Sequence, residues 1–489
     1  MSKYNKQIGV NSMFSIVKIV VTMAAFFLYY RYLIKEYGTE FLGLWSVTLA
    51  IASLINIGGS GVGSGLLKFG AELDKQKDYK NLSSITNYSL LIFITLSAIF
   101  GFFLFLFNRQ ILNLTIDLNK EWLEKGITIF PYLIVSMIVS MVGRTLFSLI
   151  DSINKSYIHT IIQTIGIFVF VFFGLYFIND YGILGMAYAH LIQSITYLLL
   201  GIIFLKIKIP NYSFKNYSWN KEIMRKLIIY NFNFQVSSVF QLLFDPLNKF
   251  LFTKFGGLEL TAYYEIANKI ISTIRGLITS VLNNFIPKIA ILGLDQNRAS
   301  LIKQFKLIKS LNIIFSTACI FSIVFLSTIF SSIFFNELNF EFIRIFQILS
   351  IAWFINTLSV PEYYMNMGSG KLKPNTFSVI IQSFLNLIFG LTIGVFFGNE
   401  YISISVLLAF SVGAFYLIKE YHSRYKIAIQ VSKKDKLLFF IGFVLLIINV
   451  FFYYQSPYLL PIVLLVVFLV VFFCQKKELF KIFLKTIVI

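Results

Sequence analysis

Four basic side chains, Lys18, Arg144, Lys269 and Arg275, stand inside stretches of sequence that are otherwise apolar. Charge in hydrocarbon is costly, so each is a candidate for binding an anion or for pairing with a group on another helix. Lys18 lies about two turns into the first such stretch and Arg144 late in the fourth, while Lys269 and Arg275 share the eighth. Lys18, Arg144 and Arg275 have no acidic residue three or four positions away, the spacing at which side chains meet on one helix. Their partners must come from other helices, from carbonyls or from a bound anion. Interhelical hydrogen bonding or snorkelling to the membrane edge is the plainer account, above all for Arg144 near a span end. Lys269 differs, because Glu265 precedes it by four residues, as Asp245 precedes Lys249. These read as neutralised structural pairs, or as carboxylates that take up H+ or Na+ during a transport cycle. Glu362, which follows Pro361, is a third carboxylate of that kind, and His190 is a candidate proton relay.

Other chemistries find little support. His159, His190 and His422 lack metal-ligand spacing, and Cys319 and Cys474 sit in apolar stretches as small buried side chains. No serine, cysteine or paired-carboxylate arrangement suits catalysis, so neither a catalytic residue nor a metal site is expected and the chain does not read as an enzyme. Glycines crowd residues 57–65, but the run lacks the Gly-Lys-Ser/Thr ending of a phosphate loop and follows no strand. Close helix packing or local unwinding is the expectation there.

The elements that must position these residues follow from composition. Of 489 residues, 57% are hydrophobic, 18% aromatic and only 13% charged, with mean hydropathy +0.79. Soluble domains carry about 25% charged residues. Half that fraction leaves too little charge to solvate a compact surface. Fourteen apolar stretches approach the roughly 20 residues needed to span a bilayer: 11–34, 41–66, 85–107, 127–150, 157–178, 182–205, 227–251, 260–285, 311–335, 342–365, 375–397, 402–421, 437–454 and 458–474. The first is followed by many more and lacks a small-residue cleavage pattern, so it reads as a retained anchor. The net charge of +20 invites a nucleic-acid reading, yet the basic residues fall in loops. With alternate loops assigned to opposite faces, roughly thirty Lys and Arg collect on one face against about five on the other. That bias makes the first face cytoplasmic, both termini included, and argues against a nucleic-acid partner.

An internal repeat gives the organisation. Gly38-Thr-Glu40-Phe-Leu-Gly-Leu-Trp45 aligns with Gly257-Leu-Glu259-Leu-Thr-Ala-Tyr-Tyr264, and Ile161-Ile-Gln163-Thr164 with Ile380-Ile-Gln382-Ser383, both at an offset of 219 residues (257 − 38 and 382 − 163). Six spans separate the copies, so they share orientation about an axis along the membrane normal. The expected fold is an all-α polytopic membrane protein with two parallel six-helix lobes: an N-terminal lobe over 1–206, a cytoplasmic linker over 207–226, a C-terminal lobe over 227–425, and two further helices with a basic tail over 426–489.

The segment 37–72, with its Gly-x-Glu-x-x-Gly-Leu-Trp opening, its Ile57-Gly-Gly-Ser-Gly run and its Lys68-Phe-Gly-Ala71 ending, resembles the polysaccharide-exporting branch of the multidrug/oligosaccharidyl-lipid/polysaccharide superfamily. The likeness extends through 257–270 and the Gly368-Ser-Gly-Lys371 turn. It implies a Wzx-type flippase in the bacterial cytoplasmic membrane, moving an undecaprenyl-pyrophosphate-linked oligosaccharide to the outer leaflet by alternating access driven by an ion gradient. A cationic cavity for the pyrophosphate is implied with it, Lys18 and Arg275 being the first choices for its cations and Arg144 and Lys269 the second. H+ or Na+ is the implied coupling ion, and a polysaccharide polymerase and glycosyltransferases are the implied partners. A lipid II flippase shares this layout and is one alternative; an ion-coupled multidrug exporter, the other, would normally have twelve spans and a more acidic or neutral cavity. A membrane glycan polymerase or ligase is disfavoured because no large outer loop is present.

Overall fold

The computed structural model describes residues 3–58, 62–115, 120–209, 211–218, 220–283, 289, 298–425 and 462–467. Among them every regular element is a helix. In chain order these are α1 (Lys3–Tyr37), α2 (Thr39–Ala52), α3 (Val62–Gln76), α4 (Tyr79–Leu106), α5 (Asn108–Thr115), α6 (Lys120–Ser152), α7 (Ser156–Tyr181) and α8 (Ile183–Lys208). They continue as α9 (Lys221–Asn283), α10 (Arg298–Phe325), α11 (Ser327–Phe335), α12 (Phe340–Leu358), α13 (Val360–Gly368), α14 (Lys373–Phe396) and α15 (Ile402–Tyr425). Among the described residues, ten helical stretches are long and apolar enough to cross a bilayer. The expected spans 227–251 and 260–285 fall on the two arms of α9, which bends at Gly257, where φ is +73°. The last two expected spans lie outside the described residues, apart from the helical 462–467.

Three expected spans are divided. The second stops at Ala52 and passes into a 3-10 turn, Ser53–Gly58, before α3 begins at Val62. The ninth is already helical at Arg298, so Lys303, Lys306 and Lys309 stand on a helix and not in a loop, and it is interrupted at Leu326. The tenth breaks at Ser359, ahead of Pro361, whose ring has no N–H and suits the first turn of a new helix. Helix ends elsewhere follow ordinary capping chemistry. Asp78 accepts from the Asn81 amide at 3.1 Å to start α4, and Asn339 accepts from the Phe342 amide at 2.8 Å to start α12.

The repeat is written into helix boundaries. Gly38 and Gly257 are not alone in keeping the offset. α5 and α11 start at the same offset (327 − 108), as do α8 and α15 (402 − 183). Gly38 and Gly257, also 219 apart, both hold the left-handed φ that an L side chain resists, at +86° and +73°.

The chain divides into two compact units, Met1–Tyr29 with Thr39–Ala262, and Tyr30–Gly38 with Tyr263–Ile489. In the first, α8 packs on α6 and α7 around Leu66, Leu146, Phe147, Ile162 and Leu205. In the second, α15 packs on α12 and α14, and a core of Ile308, Leu311, Val360, Tyr364 and Tyr421 lies beside them. Large apolar side chains such as Phe102, Phe103, Phe172, Phe396 and Phe415 point outward, while Thr48, Ser84, Ser136, Asn312 and Asn386 are buried. This is the pattern of a bundle in lipid, where apolar burial gives no driving force and polar contacts and close packing hold helices together.

Gly43 shows how close that packing is. A Cβ there would lie 1.9 Å from the Leu258 carbonyl oxygen. Gly43→Ala should therefore cost about 1–3 kcal/mol, read as a lower melting midpoint in detergent. Gly201→Ala, whose new methyl would meet only side-chain atoms at 3.4 Å or beyond, should leave the midpoint nearly unchanged.

Candidate functional site

In the first unit, α1 carries Lys18 toward α7, and the Lys18 Nζ donates to Gln163 Oε1 at 2.8 Å. Arg144 and Asp151, both on α6, lie near enough to act on Lys18 electrostatically. Asp151 is engaged by His159, whose Nδ1 is 3.0 Å from its Oδ1. Arg144 is exposed on this unit and forms no ion pair with any described residue. Lys18 and Arg144 thus make a two-cation group whose nearest acid is already shared. His190 sits apart from carboxylates, hydrogen-bonded to Ser136 Oγ and flanked edge-on by Trp45 and Phe170.

In the second unit, Arg275 on α9 reaches α12. Its Nη2 donates to Asn356 Oδ1 at 3.0 Å, and the guanidinium lies over the Trp353 ring, 4.8 Å from the centroid. Trp353 is itself fixed by donating to Asn268 Oδ1 at 3.0 Å. The Arg275 Nε is buried and has no hydrogen-bond partner. No carboxylate among the described residues pairs with this guanidinium. Asn356 is held in turn, its Nδ2 donating to Gln382 Oε1 at 3.3 Å, while Gln382 donates to Ser378 Oγ and Ser378 to the Gly413 carbonyl. A half-buried cation given one neutral acceptor plus one aromatic face keeps donors and charge that an anion could take.

The candidate carboxylates separate by geometry. Asp245 pairs with Lys249 at 3.0 Å, the structural pairing that their spacing suggested. Glu265 Oε1 accepts from Tyr30 Oη at 2.7 Å, and Lys269 follows it on α9 with its side chain half-buried. Glu362 is fully buried; its Oε1 accepts from Lys309 Nζ at 2.7 Å and lies 3.4 Å from His422 Nε2, while its Oε2 has no partner. Lys309 also donates to the Leu358 carbonyl, and Asn312 to the Thr357 carbonyl. Two side chains of α10 thus satisfy carbonyls freed where α12 breaks. The sequence reading had Glu362 alone, because Lys309 is 53 residues distant and pair spacing sees only one helix. Trp353 and Asn356 were missed for the same reason. Among the described residues no group of three or more His, Cys, Asp and Glu is placed to hold a metal ion.

Comparison with known proteins gives the family. A profile described as polysaccharide biosynthesis protein matches residues 8–292, more than half of the chain. The chain belongs to this family. The match takes in Lys18, Arg144, Lys269 and Arg275, whereas Glu362 lies beyond it. No curated protein matches. Among solved structures, the chain is similar to the lipid II flippase MurJ in an inward closed conformation, at 15% identity and TM-score 0.71, covering 96% of this chain and 99% of that one. It is similar also to an inward-facing multidrug resistance MATE family transporter of the MOP superfamily, at 15% identity and TM-score 0.70 over 84% and 98% of the two chains. A MOP superfamily transporter from Pyrococcus furiosus aligns at 15% identity and TM-score 0.62 over 87% and 96%. Identities this low speak for the fold alone. The chain is a multi-pass membrane protein.

Proposed function

We propose that this protein is a flippase that carries an undecaprenyl-pyrophosphate-linked oligosaccharide from the inner to the outer leaflet of a bacterial cytoplasmic membrane by alternating access. The observation that carries the reading is Arg275, a desolvated guanidinium with no carboxylate partner and an unpartnered Nε, in a chain of the polysaccharide biosynthesis family. A pyrophosphate offers several acceptor oxygens and negative charge, the chemistry that such a guanidinium lacks. Lys18 and Arg144 supply the same chemistry in the first unit, and Lys269 is a further cation on α9. No covalent step is needed, so the protein acts as a transporter and not as an enzyme. Glu362, Asp245, Glu265 and His190 are the groups through which H+ or Na+ would couple. A polysaccharide polymerase and glycosyltransferases would work on either side of the step.

The deciding experiment uses purified protein in liposomes with fluorescent lipid-linked glycans, read by quenching of label on one leaflet. An undecaprenyl-pyrophosphate oligosaccharide should equilibrate across the bilayer faster than in protein-free liposomes. Movement of lipid II alone would reassign the substrate, and movement of neither would end the flippase reading.

The proposed orientation, both termini cytoplasmic, makes a separate prediction. Lys120 and Lys215 are both exposed and fall on opposite sides in this scheme. In intact cells, an impermeant thiol reagent should label Lys120→Cys and spare Lys215→Cys. The reverse pattern would invert the topology.

A further inference from the structure

The segment between α8 and α9 runs across the start of α4 and is fastened there, all within the first compact unit. Ser83 Oγ accepts from the Ser213 amide at 3.1 Å, Ser84 Oγ donates to the Ser218 carbonyl, and Tyr88 Oη donates to the Tyr217 carbonyl at 2.9 Å. Asn87 is the centre of this clamp. Its Nδ2 donates to the Ser213 and Asn216 carbonyls at 2.9 and 2.8 Å, and its Oδ1 accepts from Tyr212 Oη at 2.6 Å. From the strap itself, Asn216 Nδ2 donates back to the Lys80 carbonyl at 2.5 Å. A surface connection normally leaves its carbonyls to water, whereas here four of them are taken by side chains of one helix. The internal repeat does not call for this. At the offset of 219 residues, Ser83, Ser84, Asn87 and Tyr88 correspond to Ile302, Lys303, Lys306 and Leu307, which offer neither amide nor hydroxyl.

The clamp fixes a set of cations. Lys75, Lys77 and Lys80 flank the turn from α3 into α4, Lys206 stands in the last turn of α8, Lys215 on the strap and Arg225 in the opening turns of α9; all six are exposed, and none forms an ion pair with a described residue. Residues 72–80 and 206–226 together carry nine Lys and Arg against four Asp and Glu. Two of those acids are engaged: Asp78 accepts from the amide and the Nδ2 of Asn81, and Glu222 takes Lys226 at 2.6 Å. The setting is the edge of a bilayer, because α4 and α8 are long and apolar enough to cross one. Exposed Ile203 and Ile207 share the end of α8 with Lys206, and exposed Tyr217 sits on the strap, a mixture of aliphatic, aromatic and basic side chains that suits the headgroup layer. We propose that the strap, the α3–α4 turn and the end of α8 form a fixed docking surface for anionic phospholipid headgroups of the leaflet in which α4 starts and α8 ends. Lipid answers both parts of the surface, acyl chain for the aliphatic side chains and headgroup phosphate for the cations. Holding the cations in one place spares the ordering cost that a loose basic loop meets on binding. This goes beyond the flippase reading and does not depend on it.

The test uses the full chain in phosphatidylcholine nanodiscs, with acyl-labelled phosphatidylglycerol as the probe. A donor dye at Asn211→Cys, on a chain whose own two cysteines are replaced by serine, reads by energy transfer how far the probe is enriched there over labelled phosphatidylcholine. The parent chain should show enrichment that falls as salt is raised. Lys80→Gln, Lys215→Gln and Arg225→Gln combined should lower it by about fivefold. Lys371→Gln, Lys373→Gln and Lys419→Gln combined, which remove the same charge from exposed positions of the second unit, should lower it by less than about twofold. Asn87→Ala removes three bonds of the clamp and no charge, so trypsin should cut after Lys215 sooner and enrichment should fall by roughly threefold. Tyr88→Phe, which removes one bond, should act in the same direction and takes its place if Asn87→Ala does not accumulate. Equal enrichment of both lipids around the parent chain, equal losses in the two triple variants, or faster cutting with undiminished enrichment would each overturn the inference. So would displacement of the probe by undecaprenyl pyrophosphate at far lower mole fractions than by unlabelled phosphatidylglycerol, since the surface would then belong to that lipid.

Discussion

Glu362→Gln should lower the thermal midpoint of the purified protein more than any other single substitution considered, with a cost of roughly 3–5 kcal/mol. The carboxylate is fully buried and its Oε1 receives the Lys309 ammonium at 2.7 Å, with the Lys309 side chain only 16% exposed. Glutamine keeps an acceptor oxygen but leaves that ammonium without a counter-charge, and the loss of one partner from a buried pair is far more damaging than the loss of both. The Lys309→Met, Glu362→Gln double variant should therefore recover much of the midpoint. Its recovery will be incomplete, because Lys309 also caps the Leu358 carbonyl at the break between α12 and α13. Equal midpoints for wild type and Glu362→Gln would show that the pair does not hold these helices together.

Arg275→Gln should have the largest effect on ligand binding and the opposite sign for stability. Undecaprenyl pyrophosphate affinity should fall by the equivalent of about 2–5 kcal/mol, the usual loss when one member of a buried charge-assisted contact is removed. Arg275→Lys keeps the charge but loses the planar fork and the contact with Trp353, so it should retain binding at an intermediate level. Without ligand, Arg275→Gln should be as stable as wild type or more so, since a desolvated guanidinium with an unpartnered Nε is a burden on the empty protein. Measuring both quantities on each variant separates a binding cation from a structural one. A structural Arg275 would lose stability and leave affinity intact.

The paired effects at Glu362 and Arg275 also mark where sequence reasoning ends. Membrane spans were legible because hydrophobic length and loop charge act locally: α4, α6, α7, α8, α14 and α15 stand where apolar stretches and basic loops put them. The repeat was legible in two short matches, and helix starts at 108 and 327, and at 183 and 402, carry it through the fold. The Asp245–Lys249 pair could be read because one helix turn brings residues four apart together. Other features depend on neighbours that no spacing rule reaches. Whether Lys18 and Arg275 would find acids was undecidable from their own helices, and the answer is an amide from α7 in one case and an amide and an indole from α12 in the other. Glu362 looked like a free carboxylate until α10 and α15 brought Lys309 and His422 to it. Sequence by itself determined that long apolar helices build the chain and which cations are stranded from local acids, because both depend on residues within a few turns. Only the tertiary structure decided which of those charges are neutralised, because in lipid a polar group takes its partner from whichever helix packs beside it.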